Sequence, residues 1–210
     1  MKNILFILIF LIFRNGLIAQ EIPFSQEQWF KSGQKYLKKG KLEVAVSQFY
    51  MANKYGKNSD IQILARQKID SLLPLIHKKI IKQWKGNWKM KELNYNPYPG
   101  TFSDHIRFED DKIVFFKKDS DGKEIIIRSE LIKFLPYDSF NIRNVAFKNS
   151  EIWSFGVGKK NSQKRLYPKL VRDSSGIRKI LLDERGIIID RKLRKRELKK
   201  EIYTFYVKAE

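Results

Sequence analysis

Few side chains in this sequence have the types and spacing of a catalytic or metal site. Two histidines, His77 and His105, lie far apart, and there is no cysteine, so thiol catalysis, disulfides and cysteine-ligated metals are excluded. The zinc motif HExxH, the nucleophile elbow GxSxG, the phosphate-binding P-loop and the GxGxxG fingerprint are also missing. We therefore predict no metal, no cofactor and no motif-based catalytic site. A hydrolase whose carboxylates are assembled only by folding stays open as an alternative.

Positive charge is the strongest chemical signal, and it collects near the C-terminal end. The chain carries a net charge of +20; residues 159–200 contain 16 lysines and arginines against 5 acidic residues, whereas residues 86–158 contain 11 of each. The predicted anion-binding surface comprises Lys192, Arg194, Lys195, Arg196, Lys199 and Lys200. Outside the cytoplasm, such a surface is expected to attract lipopolysaccharide phosphates, anionic lipids or acidic polysaccharides rather than nucleic acid. A solvated basic face without a dedicated partner is the alternative.

The first twenty residues have the pattern of a cleavable signal peptide. Lys2 precedes the ten-residue apolar run Ile4–Phe13, which is too short to span a bilayer, and Ala19 offers a small residue at the cleavage point. We predict cleavage after Ala19, export to the periplasm or the extracellular space, and no transmembrane helix after cleavage. An uncleaved anchor over residues 4–18 is the alternative. The leader, the missing cysteines and the residue bias resemble those of exported proteins from Bacteroidetes-type Gram-negative bacteria.

The elements that follow the leader are predicted to be helical over residues 24–85. Ser25 and Gln28 form a capping-box pattern at the start of the first helix, and Gly40 lies in the turn that ends it. A second helix ends at Gly56, and a third begins near residue 60 with Ser59 as its predicted cap. These signals predict a helical hairpin followed by one longer helix.

The hairpin resembles a tetratricopeptide repeat. The residues at that family's spacing are Trp29, Gly33, Tyr36, Ala45, Phe49 and Ala52. The resemblance implies that the small residues allow close helix packing, that the aromatics fill the remaining space, and that the unit docks a protein partner. A single repeat cannot bury its own face, so it must stack on the third helix, the β domain or a partner. An ordinary helical hairpin is the alternative.

From Gly86 onward the pattern changes to short strands. The predicted strands cover residues 87–95, 105–108, 113–116, 124–134, 141–147, 152–157, 165–171, 177–182, 186–190 and 202–207. Many short strands with close turns indicate an antiparallel barrel or meander. The predicted fold is therefore α+β, with a helical unit over residues 24–85 and an antiparallel β domain over residues 86–210 that includes a short helix near its end.

The β domain is similar to the lipocalins at both of its ends. Gly86-Asn87-Trp88 matches the Gly-x-Trp that opens the first lipocalin strand, and the order strand, Arg191, helix, strand matches the end of that family. The resemblance implies that Trp88 and Arg191 form a barrel-closing pair. It also implies that Tyr95 and Tyr98 lie at the mouth of a cavity. An unrelated meander or sandwich with Trp88 in its core is the alternative.

These patterns together predict an exported, non-enzymatic binding or envelope-assembly protein. Its helical unit is expected to dock a protein partner, and its basic C-terminal surface to bind an anionic envelope component. Two alternatives stay open: a lipocalin-like carrier of a small hydrophobic ligand, and a hydrolase with a spatially assembled carboxylate site.

Overall fold

The computed structural model describes residues 24–91, 103–137, 142–178, 187–200 and 204–209. The chain divides into two compact units between Asp70 and Ser71. The change from helix to strand falls later, at Lys85, so the second unit holds the end of the third helix as well as the sheet. This combination of helices with a large antiparallel sheet confirms the α+β class.

The first unit contains the helices α1 (Gln26–Lys38) and α2 (Leu42–Lys54) and the start of α3 (Ser59–Trp84). The predicted capping box is confirmed, since Gln28 N–H donates to Ser25 Oγ and Ser25 N–H donates to Gln28 Oε1. The predicted cap of α3 at Ser59 is wrong by one residue. Asn58 Oδ1 accepts from the amides of Asp60 and Ile61, because its short side chain reaches the free amides of the first turn.

Close packing between α1 and α2 depends on one glycine. Gly33 is buried, and a Cβ added there would lie 2.6 Å from Phe49 Cε1. The loop into α3 is held by the buried amide of Gln26, whose Nε2 donates to Ala52 O at 3.0 Å. The same amide donates to Asn58 O and accepts from Asn58 N–H. Polar groups buried in this unit are thus paired with one another.

The second unit is built on a nine-stranded sheet. Its strands are β1 (Gly86–Lys91), β2 (His105–Phe108), β3 (Lys112–Lys118), β4 (Glu124–Leu131), β5 (Lys133–Phe134), β6 (Asn144–Ala146), β7 (Ile152–Lys160), β8 (Gln163–Arg172) and β9 (Phe205–Lys208). They pair antiparallel in the order β4-β3-β2-β1-β9-β8-β7-β6-β5. A fourth helix, α4 (Arg191–Lys199), lies between β8 and β9 in the chain.

The two ends of this strand order are neighbours in the sequence, separated by Ile132 alone. Ile132 N–H donates to Asp111 O at 2.8 Å, which extends the β3 side, and Leu135 N–H donates to Asn144 O at 3.0 Å, which extends the β6 side. The pairings therefore form a circuit that returns to its start through one residue. The single strand predicted over residues 124–134 is split here into β4, which pairs with β3, and β5, which pairs with β6.

Two other predicted strands differ from the structure. Residues 187–190 form no ladder and lead into α4, because Asp190 is used as the helix cap. Within the predicted strand 177–182, Arg178 forms an isolated bridge with Arg172, and residues 179–182 lie outside the described ranges.

The end of α3 contributes Trp84 to the core of the second unit. This side chain is fully buried, and its ring packs against Phe108 and Phe155 at centroid distances of 5.4 and 5.5 Å. Trp84 Nε1 donates to Phe155 O at 3.1 Å. The register neighbour of Phe155 on β8 is Pro168, which has no amide N–H to donate. The Trp84 indole therefore donates a hydrogen bond to the Phe155 carbonyl, which lies opposite a proline that cannot donate one.

Candidate anion-binding surface

The basic C-terminal segment folds into α4, whose start is fixed by Asp190. Asp190 Oδ1 accepts from Leu193 N–H at 2.9 Å, and the helix ends at Lys199, followed by the cap Lys200, whose N–H donates to Glu197 O. No residue of α4 is buried. The predicted surface is therefore displayed on a regular element that stands in solvent.

Helical geometry divides α4 into two sides. At about 100° per residue, five cations project within an arc of about 140°. We call them the basic face: Arg191, Lys192, Lys195, Arg196 and Lys199. The structure thus brings together four of the six predicted residues. Arg194 is partly buried on the other side with Glu197, and Lys200 follows the helix and pairs with Glu197 at 2.7 Å.

Most of the basic face has no counter-charge within the described part of the chain. Arg196 pairs with Glu197 at 3.4 Å, whereas no described carboxylate pairs with the other four cations. Arg191 and Lys192 also stand in the first turn, which contains no acidic residue. Cations there oppose the helix dipole, at a cost of about 0.3–1 kcal/mol each. A bound anion would offset both kinds of repulsion.

Apolar side chains stand beside this charge. Ile187 is 80% exposed and Ile189 is 93% exposed, just before the first turn of α4. These isoleucines give exposed apolar surface beside the cations, the combination that a contact with a membrane interface uses.

The predicted pair of Trp88 and Arg191 is wrong. Trp88 is fully buried and donates from Nε1 to Trp84 O at 2.6 Å. The cations over its ring are Lys208 at 4.4 Å and Lys164 at 5.7 Å, while Arg191 is exposed on α4. The lysines replace the arginine because β9 is paired with β1, which carries Trp88, and also with β8, so both strands bring a lysine to the ring.

The other predicted site residues have different outcomes. Tyr95 and Tyr98, predicted at a cavity mouth, lie outside the described residues. Among the repeat-packing residues, Trp29 and Tyr36 are partly buried, and the remaining four are buried: Gly33, Ala45, Phe49 and Ala52.

An ionic cluster that sequence reasoning missed joins β4 to the start of β7. Arg128 pairs with Glu151 at 3.0 Å, and its guanidinium lies 4.5 Å from the ring centroid of Phe115 and 5.1 Å from that of Phe147. Trp153 Nε1 donates to Glu151 at 2.8 Å. Burial alone would raise the pKa of Glu151, but hydrogen bonds from Trp153 and Arg128 outweigh it and hold the pKa below its usual value. No local spacing signals this cluster, because its members lie on different strands.

The two histidines are far from α4 in sequence and take packing positions. His77 is half-buried, and its ring stacks on Phe134 at 3.8 Å; burial lowers its pKa. His105 stacks on Phe116 at 5.0 Å, and its pKa is lowered by burial and then by the charge of Lys118. Across the described ranges, no group of three or more histidine or acidic side chains is placed to hold a metal ion.

No described helix combines the length and apolar character needed to cross a bilayer. Comparison of the chain with protein-family models, with curated proteins and with solved structures found no match. What the protein does is therefore inferred from its own residues.

Proposed function

We propose that this is an exported, non-enzymatic binding protein that holds an anionic surface of the cell envelope through the basic face of α4. One observation carries the proposal: five cations share one arc of an exposed helix, and four of them pair with no described carboxylate. The surface would consist of lipopolysaccharide phosphates or anionic lipid headgroups. Ile187 and Ile189 would enter the headgroup boundary, where their burial adds to the charge attraction.

The test uses sedimentation with vesicles of phosphatidylglycerol and of phosphatidylcholine. Each cation near an anionic membrane contributes about 1 kcal/mol, so replacing Lys192, Lys195 and Lys199 with glutamine should weaken binding by roughly two orders of magnitude. Binding of the parent should also fall steeply above ~0.15 M salt, where the screening length drops below about 8 Å. The neutral vesicles should retain little of either protein.

A matched control removes the same charge elsewhere. Lys117, Lys118 and Lys123 lie on the exposed β3–β4 hairpin, and their triple glutamine variant should bind like the parent if the basic face is responsible. Equal losses in both triple variants would mean that only net charge matters. If the α4 variant binds the anionic vesicles like the parent, the basic face is a solvated surface without a binding role.

The helical unit is proposed to dock a protein partner as a tetratricopeptide-like hairpin. Its support is the close contact at Gly33 and Phe49, together with apolar side chains left exposed in the same unit. Ile63 is 56% exposed and Leu64 is 46% exposed on the first part of α3. Glutamine at both positions should remove cross-links to a partner in the native envelope while leaving the unfolding temperature unchanged.

A lipocalin-like β unit is supported by the circuit of antiparallel pairings and by the helix that precedes the last strand. Its described interior is filled by aromatic side chains, with Phe108, Trp153 and Phe155 almost fully buried. A filled interior favours a structural scaffold over a carrier cavity. The engagement of Glu151 with Arg128 and Trp153 likewise favours a structural over a hydrolytic carboxylate.

A further inference from the structure

A groove of about 660 Å³ lies on the second unit, along the end of α3 and the junction of β4 with β5. Its apolar lining includes Ile81, Ile132 and Phe134, each of which is only partly buried. Phe134 also stacks with His77 and with the buried ring of Trp84, at centroid distances of 3.8 and 5.7 Å. These stacks anchor the groove floor to the core, so the apolar surface is held in a fixed position.

The rim of the groove is positively charged. Lys78 and Lys82 line it from α3, and Lys85 lines it from just after the helix, against a single acidic side chain, Asp110. Lys85 pairs with Asp110 at 2.6 Å, whereas neither Lys78 nor Lys82 pairs with a carboxylate in the part of the chain that the structure describes. Lys78 and Lys82 are four residues apart on one helix face, so they repel each other unless an anion lies between them.

We propose that this groove binds a single-chain amphiphile with an anionic head, such as a long-chain carboxylate or an alkyl phosphate. The head would lie between Lys78 and Lys82, and the alkyl chain would cover Ile81, Ile132 and Phe134. The volume lies within the range of small-ligand sites, about 300–1,000 Å³. A protein segment or a second copy would need a larger surface, on the order of 800 Å² from each partner. This site shares no residue with the basic face.

The chain offers a site-resolved probe, because it contains only two histidines. His77 lines the groove, and His105 lies on β2 outside its lining. We expect dodecanoate or dodecyl phosphate, added to the purified full-length protein below micelle formation, to shift the imidazole NMR signals of His77 and not those of His105. Dodecan-1-ol should bind more weakly. In a series of chain lengths, each methylene that becomes buried should tighten binding by up to roughly fourfold.

The variants test the role of charge. Lys78→Gln combined with Lys82→Gln should weaken calorimetric binding of the anionic amphiphile by roughly tenfold or more. Lys79→Gln should change nothing, since Lys79 is exposed on the same helix but does not line the groove. The proposal is overturned if the alcohol binds as tightly as the anions, if both histidines shift together, or if the double variant binds like the parent. If only one of the two anions shifts His77, the proposal stands and that headgroup is identified.

Discussion

Replacing Trp84 with phenylalanine should be among the most destabilising single changes in the second unit. Trp84 is completely buried, and its Nε1–H is the donor to the Phe155 carbonyl. Phenylalanine retains part of the ring packing but leaves that carbonyl without this donor, opposite Pro168 in the β7–β8 register. The loss therefore combines an unsatisfied buried acceptor with a cavity.

The magnitude follows from these two contributions. Leaving a buried acceptor unsatisfied costs about 1–3 kcal/mol, and the missing ring atoms add about 1–2 kcal/mol. We expect the free energy of unfolding to fall by about 2–5 kcal/mol in total. For a chain of this size, that corresponds to a decrease of roughly 4–20 °C in the unfolding temperature.

Urea unfolding followed by circular dichroism measures the effect, with Trp29→Phe as the matched control. Trp29 is only partly buried and its main ring contact is Phe24 at 4.8 Å, so the same change there should cost less than about 1 kcal/mol. If the two variants lose equal stability, the role assigned to the buried indole is refuted.

Four further predictions concern other parts of the chain. Gly33→Ala should destabilise the helical hairpin by about 1–2 kcal/mol in urea titrations. The added Cβ would lie 2.6 Å from Phe49 Cε1, and this clash outweighs the gain of about 1 kcal/mol in helix propensity. A more stable variant would contradict this packing. Gln26→Leu should lower the free energy of unfolding by about 2–4 kcal/mol in the same assay, because backbone groups of Ala52 and Asn58 lose their hydrogen-bond partners. An unchanged stability would show that water replaces the amide. Burial lowers the pKa of His77 in the folded state, so the unfolded chain takes up the proton first, and stability should fall as the pH drops from about 6.5 through the folded pKa. His77→Phe preserves a ring on Phe134 and should flatten that decline in melting temperature with pH. An unchanged slope would show that His77 does not cause the decline. The exported protein should have the intact mass of a chain that starts at Gln20, and a membrane-held species that starts at Met1 would rule out cleavage after Ala19.

Local signals predicted the parts of the fold that depend on neighbouring residues. The capping box of Ser25 and Gln28 needs contacts only three residues apart, and the structure contains both of its hydrogen bonds. Close helix packing at the small residues, Gly33 among them, was implied by the resemblance to a tetratricopeptide repeat, but its specific contact with Phe49 was not predicted. The concentration of charge near residue 195 was equally visible, because composition needs no geometry.

Features that depend on which strands pair, or on contacts between distant residues, could not be predicted from local sequence signals. The groove lies where the chain changes its pairing partner at Ile132, and the sequence from Glu124 to Phe134 contains no glycine or proline that would signal the change. The cluster of Arg128 and Glu151 joins residues that are distant in sequence. Arg194 lies outside the basic face because it projects from the other side of α4. The cap Asp190 sets where that helix begins and therefore which residues are helical.

The position of β9 has a consequence for how the protein is made. This strand pairs with β1 on one side and β8 on the other, so Lys208 lies opposite Trp88. Until β9 is synthesised and in place, both of those neighbours present bare edges, which invite wrong pairing and aggregation. Productive folding of the sheet is thus delayed until residues 205–208 have been synthesised. Loss of β9 from the folded sheet would expose the edges of β1 and β8 together.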